Sequence, residues 1–162
     1  MSKLPIILLL LVFQTEVYAG RNEGMNVQYE CLGGDEYLIT AHIFRDCAQL
    51  LELEIGQIPI PAYITSSCET IGFVPLLLED SLEVSQLCPD SLPFSSCNGG
   101  NLPGVYLYVY QAIVTIPPCD DWQIIVIEGN RADVLNLDFP SGEASRQGEA
   151  FLNNSDGGCN SS

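Results

Sequence analysis

Short segments of extended character, rich in aliphatic, aromatic and β-branched residues, follow one another along the chain and are separated by glycine, proline and aspartate. The segment YLITAHIF (37–44) is rich in aromatic and β-branched residues and follows the turn signal GGD (33–35), so it reads as a strand. In LLELEIGQI (50–58), Leu51, Leu53 and Ile55 alternate with Glu52 and Glu54, which places aliphatics on one sheet face and acids in water. The segments AYITSS (62–67), FVPLLL (73–78) and LEVSQL (82–87) are shorter candidates of the same kind. GVYLYVYQAIVTIP (104–117) is the clearest, with Tyr106, Tyr108 and Tyr110 on one face, Leu107 and Val109 on the other, and Pro117-Pro118 ending its pairing. WQIIVIEG (122–129) follows through PPCDD, and the spacing predicts a hairpin between the two. ADVLNL (132–137) and EAFLNN (149–154) are further candidates.

Beyond the N-terminus, no window shows the 3.6-residue apolar period of an amphipathic helix. Seven or more short strands at turn-punctuated spacing in one domain favour an antiparallel β-sandwich over a barrel.

The N-terminus changes the setting of the chemistry. Lys3 precedes the apolar run PIILLLLVF (5–13), which is too short to span a bilayer, and VYA ends at Ala19 with the small-residue spacing of a signal-peptidase site. Residues 1–19 are therefore expected to be an export signal, 20–154 a single β-domain and 155–162 a polar tail. Net charge is −16, and because Lys3 and Glu16 balance, removal of the signal leaves it unchanged. So acidic a chain cannot assemble the basic surface that phosphate backbones require, which excludes nucleic acid as a partner class and disfavours anionic membranes. The acids are scattered, with no aspartate-rich calcium loop, and read as a solvated coat.

Seven cysteines, Cys31, Cys47, Cys68, Cys88, Cys97, Cys119 and Cys159, all follow the expected cleavage site. In an oxidising compartment they read as a disulfide framework rather than a zinc site, which favours C-x2-C pairs absent here. Cys88 and Cys97 are expected to pair and close a loop worth about 2.5 to 3 kcal/mol, with Pro89 and Pro93 keeping it out of the neighbouring strands. The pairing of Cys31, Cys47, Cys68 and Cys119 stays open, and Cys159 is the candidate for the odd thiol.

No catalytic residue, metal site or cofactor is assigned. His42 is the single histidine and lies inside a strand, and no G-x-S-x-G elbow is present. Asp120-Asp121 beside Trp122 is the nearest approach to a carboxylate pair, yet adjacent strand residues point to opposite faces. Tyr106, Tyr108 and Tyr110, with Trp122, are candidate contacts for a glycan or protein, because tyrosine joins apolar area to a polar tip.

The order YECLGGDEYLITAHIFRDC (29–47), LEVSQLCPDSLPFSSCNGGNLPGVYLYVYQAIVTIPPCDDWQI (82–124), GNR (129–131) and EAFLNNSDGGCNSS (149–162) resembles the N-terminal domain of very large secreted Bacteroidetes proteins. In that family it precedes PKD or other immunoglobulin-like repeats and a gliding-motility-associated C-terminal sorting domain. FRDC (44–47), SSCNGGNLPGV (95–105), the Trp122 strand and LNNSDGGCNSS (152–162) are its distinctive pieces here. The resemblance implies a non-enzymatic extracellular module of an adhesin exported by the general secretory route and then the type IX system, with further domains following. Family cysteines often flank the arginine-asparagine pair after the tryptophan strand; this chain has IEGNRADV (127–134) there, which implies a missing or rewired disulfide. The fold expected is thus all-β, an immunoglobulin-like antiparallel sandwich stapled by disulfides. The alternatives are a small secreted glycan-binding protein and a carbohydrate-active hydrolase using acids near Trp122.

Overall fold

The computed structural model describes residues 22–49, 58–128 and 146–156. Within them, β1 (Asn22–Gly33) and β2 (Glu36–Asp46) form a hairpin whose turn uses Gly33 and Gly34 at φ 122° and 59°, backbone angles that side chains disfavour. β3 (Ile60–Thr65) and β4 (Thr70–Glu83) form a second hairpin, its turn closed by Ser66 N and Oγ donating to the Glu69 carbonyl, both at 2.9 Å. β5 (Val105–Thr115), β6 (Trp122–Glu128) and β7 (Arg146–Leu152) complete the described strands. Helix is limited to short 3-10 turns at Cys47–Gln49, Pro89–Phe94 and Ser96–Asn98. The expectation of an all-β antiparallel fold with little helix holds.

Every pairing is antiparallel, and the strands follow the order β1-β2-β5-β4-β3-β6-β7. β2 lies beside β5, the last of the consecutive strands β3, β4 and β5, which is a Greek-key connection. β4 belongs to both halves of the sheet. Its first part pairs with β3 as far as Leu76, its second with β5 from Leu77, with a register shift between Leu78 and Asp80. FVPLLL and the start of LEVSQL are therefore one strand rather than two. Pro75 is tolerated inside it because Pro61 stands opposite, so two residues without an N–H share one rung.

Strand alternation builds the core. Tyr37, Ile39, Ala41 and Ile43 of β2, Ala62 and Ile64 of β3, and Trp122, Ile124 and Val126 of β6 are all buried and join one cluster drawn from both halves. The edge strands also meet. The Tyr29 hydroxyl of β1 donates to the Phe151 carbonyl of β7 at 3.0 Å, and a Cβ on Gly148 would lie 2.7 Å from Val27 and 2.8 Å from Met25 Sδ. Glycine at 148 thus permits the approach, and β7 runs beside β1 in the same direction. Burial, and next Tyr37, push the Tyr29 phenol up.

The expected β5–β6 hairpin does not form. β5 pairs with β2 and β4, whereas β6 pairs with β3 and β7, so the linker carries the chain from one half of the sheet to the other. Pro117 and Pro118 lack N–H groups for a ladder, and Ile116 is instead buried with its N–H donating to Asp35 O at 2.8 Å. The expected export segment 1–19 and the strand at 132–137 lie outside the described residues, as do Cys159, the 50–58 strand except Ile58, and the 155–162 tail except Ser155 and Asp156.

Among the described residues, no helix is long and apolar enough to cross a membrane.

Candidate functional site

The tyrosine stripe alternates as expected but faces inward. Tyr108 and Tyr110 are 8% and 3% exposed, and Tyr106 packs partly buried against the same cluster. Register explains the inversion: Tyr108 stands opposite Ile43 and Tyr110 opposite Ala41, so the tyrosines extend the buried row of β2, and Leu107 and Val109 turn outward. Trp122 is fully buried, its indole N–H donating to the Pro117 carbonyl at 2.8 Å. A ligand-contacting face built from Tyr106, Tyr108, Tyr110 and Trp122 is accordingly corrected to core packing. Beneath the stripe, Arg45 pairs with the buried Glu128, and its guanidinium carbon lies 6.0 Å from the Tyr108 ring centroid. Burial lowers the Arg45 pKa, opposed by Tyr110 and Tyr108; burial raises the Tyr108 phenol, opposed by Arg45.

The disulfides also differ from the expected pair. Cys97 bonds to Cys47, with Cα atoms 4.8 Å apart, and Cys68 bonds to Cys119, with Cα atoms 6.3 Å apart. Cys31 is disulfide-bonded as well, and Cys88 is an exposed free thiol. Chain locality favours the ten-residue Cys88–Cys97 loop, but folded geometry decides otherwise. Cys88 sits ahead of the 3-10 turn at Pro89–Phe94, and Cys97 is held against the end of β2, where Cys47 N donates to the Gly104 carbonyl at 2.9 Å. Iodoacetamide is accordingly expected to label Cys88 in the unreduced protein, and Cys47, Cys68, Cys97 and Cys119 only after reduction. Peptide mapping checks this, and a labelled Cys47 without reductant would contradict the pairing. Disulfides of this number belong to chains folded in oxidising compartments.

Asp120 and Asp121 lie beside the second disulfide. Both Asp121 carboxylate oxygens accept from Ser67 N, at 3.1 and 3.2 Å, and Asp121 Oδ1 lies 3.0 Å from Cys119 Sγ. The donor atoms of Cys68, Cys119, Asp120 and Asp121 lie within 4.8 Å of one another, but the sulfurs are joined to each other and are not thiolates. The acid thus fastens the β3–β4 turn to the linker preceding Trp122. Asn154, 3% exposed, completes this corner: its Oδ1 accepts from Cys119 N at 2.8 Å, and its Nδ2 donates to Ile116 O at 3.0 Å. His42 stands on the outer face of β2, between Asn26 and Val109.

A structured lobe connects β4 to β5. Val84 N donates to Val105 O at 2.8 Å and Val105 N to Ser85 Oγ at 3.0 Å, prolonging the ladder where the regular strands end. Ser95 is fully buried between the two 3-10 turns, and its carbonyl accepts from Asn98 N and Gly100 N. Asn98 Nδ2 donates to Glu83 at 2.9 Å, to Leu92 O at 3.0 Å and to Ser95 Oγ at 3.1 Å. Hydrogen bonds from Ser85, then Ser95 and Asn98, hold the Glu83 carboxyl below its ordinary range. The glycines are needed here. Gly99 is left-handed at φ 78°, a Cβ at Gly100 would overlap the Phe94 backbone, and one at Gly104 would sit 2.6 Å from Cys97 Sγ.

Two adjoining cavities open where this lobe meets the sheet, one of about 700 Å³ and one of about 560 Å³. Apolar side chains dominate the larger: Phe44, Val84, Leu87, Pro103 and Val105, with Gln86 and Gly24. Asp46, Ser96 and Asn101 contribute polar side chains to the smaller, which shares Pro103 and Val105 as a common wall. Phe44 and Asp46 are two residues apart on one face of β2, opposite to that of buried Ile43. The sequence marks SSCNGGNLPGV as a staple and does not reveal that it walls a cavity; the same-face spacing of Phe44 and Asp46 is the one signal of it.

Compared with known proteins, the chain matches no family model, no curated protein and no solved structure.

Proposed function

We propose that this chain is a non-enzymatic extracellular module of a secreted or cell-surface adhesin, of the gliding-motility-associated Bacteroidetes type that the sequence resembles. It contacts an extracellular glycan or protein through the lobe joining β4 to β5. The observation that carries this reading is the pair of adjoining cavities whose shared wall is fixed by the Cys47–Cys97 disulfide. A disulfide, two 3-10 turns and the hydrogen bonds of Asn98 hold that wall, so binding there orders little additional chain, which favours affinity. The export-type N-terminus and the disulfides agree with delivery outside the cell.

The test is retention of purified protein on immobilised extracellular polysaccharides and matrix proteins, with Leu87→Ser and Asn101→Ala as lobe variants. Saturable retention lost in both variants, with unchanged unfolding midpoints, supports the reading. Retention indifferent to both variants removes the lobe from it. Polysaccharide turnover abolished by Asp120→Asn or Asp121→Asn overturns the non-enzymatic assignment.

A further inference from the structure

Chemistry differs between the two cavities, and their geometry relates them. Phe44 floors the apolar cavity and Asp46 lines the polar one; side chains two positions apart on a strand stand about 7 Å from each other. An extended peptide presents its own side chains i and i+2 at that same repeat. Charge then selects among peptides. Among the described residues the lysines and arginines number only Arg45 and Arg146, and Arg45 is turned inward onto Glu128. Asp46 is the acid in the lining of the cavities, and the whole chain carries −16. Among the described residues no lysine or arginine lines either cavity, whereas a guanidinium or ammonium would find Asp46. One Asp46 oxygen, Oδ1, accepts from Ala48 N at 2.9 Å and so orients the carboxylate.

We infer that the paired cavities bind an extended peptide carrying an aromatic or large aliphatic side chain at one position and arginine or lysine two positions away. The apolar side chain enters between Phe44, Leu87 and Val105, and the cationic one reaches Asp46 and Asn101. This inference rests on the lobe being the contact surface and names its ligand class.

Fluorescence anisotropy at neutral pH tests it, using labelled peptides with a central Phe-Gly-Arg, Phe-Gly-Gln or Phe-Gly-Glu. The Phe-Gly-Arg peptide is expected to bind saturably and about tenfold tighter than Phe-Gly-Glu, the scale of one attractive contact exchanged for a repulsive one. In Asp46→Asn, which leaves the cavity shape and the Ala48 hydrogen bond in place, that preference is expected to fall below about threefold. Leu87→Ser is expected to weaken the Arg and Gln peptides alike. Absence of saturable binding of Phe-Gly-Arg, equal binding of the Arg and Glu peptides, or a preference that survives Asp46→Asn overturns the inference. Lobe-dependent retention on a neutral polysaccharide, insensitive to Asp46→Asn, overturns it too while leaving the lobe as the contact surface; retention indifferent to every lobe variant removes that surface itself.

Discussion

Trp122→Ala is expected to lower the free energy of unfolding by about 3 to 5 kcal/mol, the range for truncating a large aromatic side chain in a packed core. Trp122 is fully buried and opens β6 at the point where the linker from β5 enters the second half of the sheet. Its loss removes the ring and also the N–H that occupies the Pro117 carbonyl. Pro117 O keeps a longer contact from Asn154 Nδ2 at 3.3 Å, so Trp122→Phe, which restores most of the volume, should cost clearly less than the alanine variant. Urea unfolding followed by far-ultraviolet circular dichroism measures both. A cost below about 1 kcal/mol for Trp122→Ala, the level of an ordinary surface change, would contradict the position assigned to the ring.

Removing the second disulfide, by Cys68→Ala with Cys119→Ala, is expected to cost about 4 kcal/mol in the chain-entropy account. The bond spans a sequence separation of 51 and fastens the β3–β4 turn to the linker before β6, two segments otherwise held there by Asp121 accepting from Ser67 N. Asp121→Ala in the disulfide-intact protein should therefore cost much less, because the covalent tether already holds its partners together. The four unfolding midpoints of the double-mutant cycle read this directly. If Asp121→Ala cost as much with the disulfide as without it, the acid and the bond would be independent, and the corner would not act as a unit.

β2, β5 and β6 are legible in the sequence because they are runs rich in β-branched and aromatic residues bounded by turn signals. β1 carries the same kind of signal, Met25, Val27, Tyr29 and Cys31 alternating with Asn26, Gln28 and Glu30, and it is the described strand absent from the sequence-based expectations. Pro75 and the Glu79-Asp80 pair at the register shift make β4 look like two strands, and both make sense only once β3 and β5 are known to flank different stretches of it. The β5–β6 hairpin and the Cys88–Cys97 bond are wrong expectations for a common reason. Nearness along the chain argues for each, and the Greek-key crossing places the true partners about 50 residues away for Cys97 and in another part of the sheet for β6. Inward and outward faces of β5 cannot be told apart by pattern because both are apolar, and the facing residues of β2 decide between them. The cavities are hidden for a deeper reason: Gly24, Phe44, Val84 and Pro103 become neighbours only through the order β1-β2-β5-β4.

The side-by-side, same-direction arrangement of β1 and β7 has a mechanical consequence. A pull applied at Asn22 against a pull at Leu152 acts along two neighbouring parallel strands in opposite senses, so their contacts and the ladders that hold each strand are loaded together in shear rather than opened one at a time. Should those strands yield, the disulfides restrict how far the chain can lengthen. The Cys47–Cys97 bond alone withholds a separation of 50 residues, about 170 Å of contour, from extension. A chain built this way stays short under tension, and the wall of the cavities stays tied to β2 after the edges of the sheet have parted.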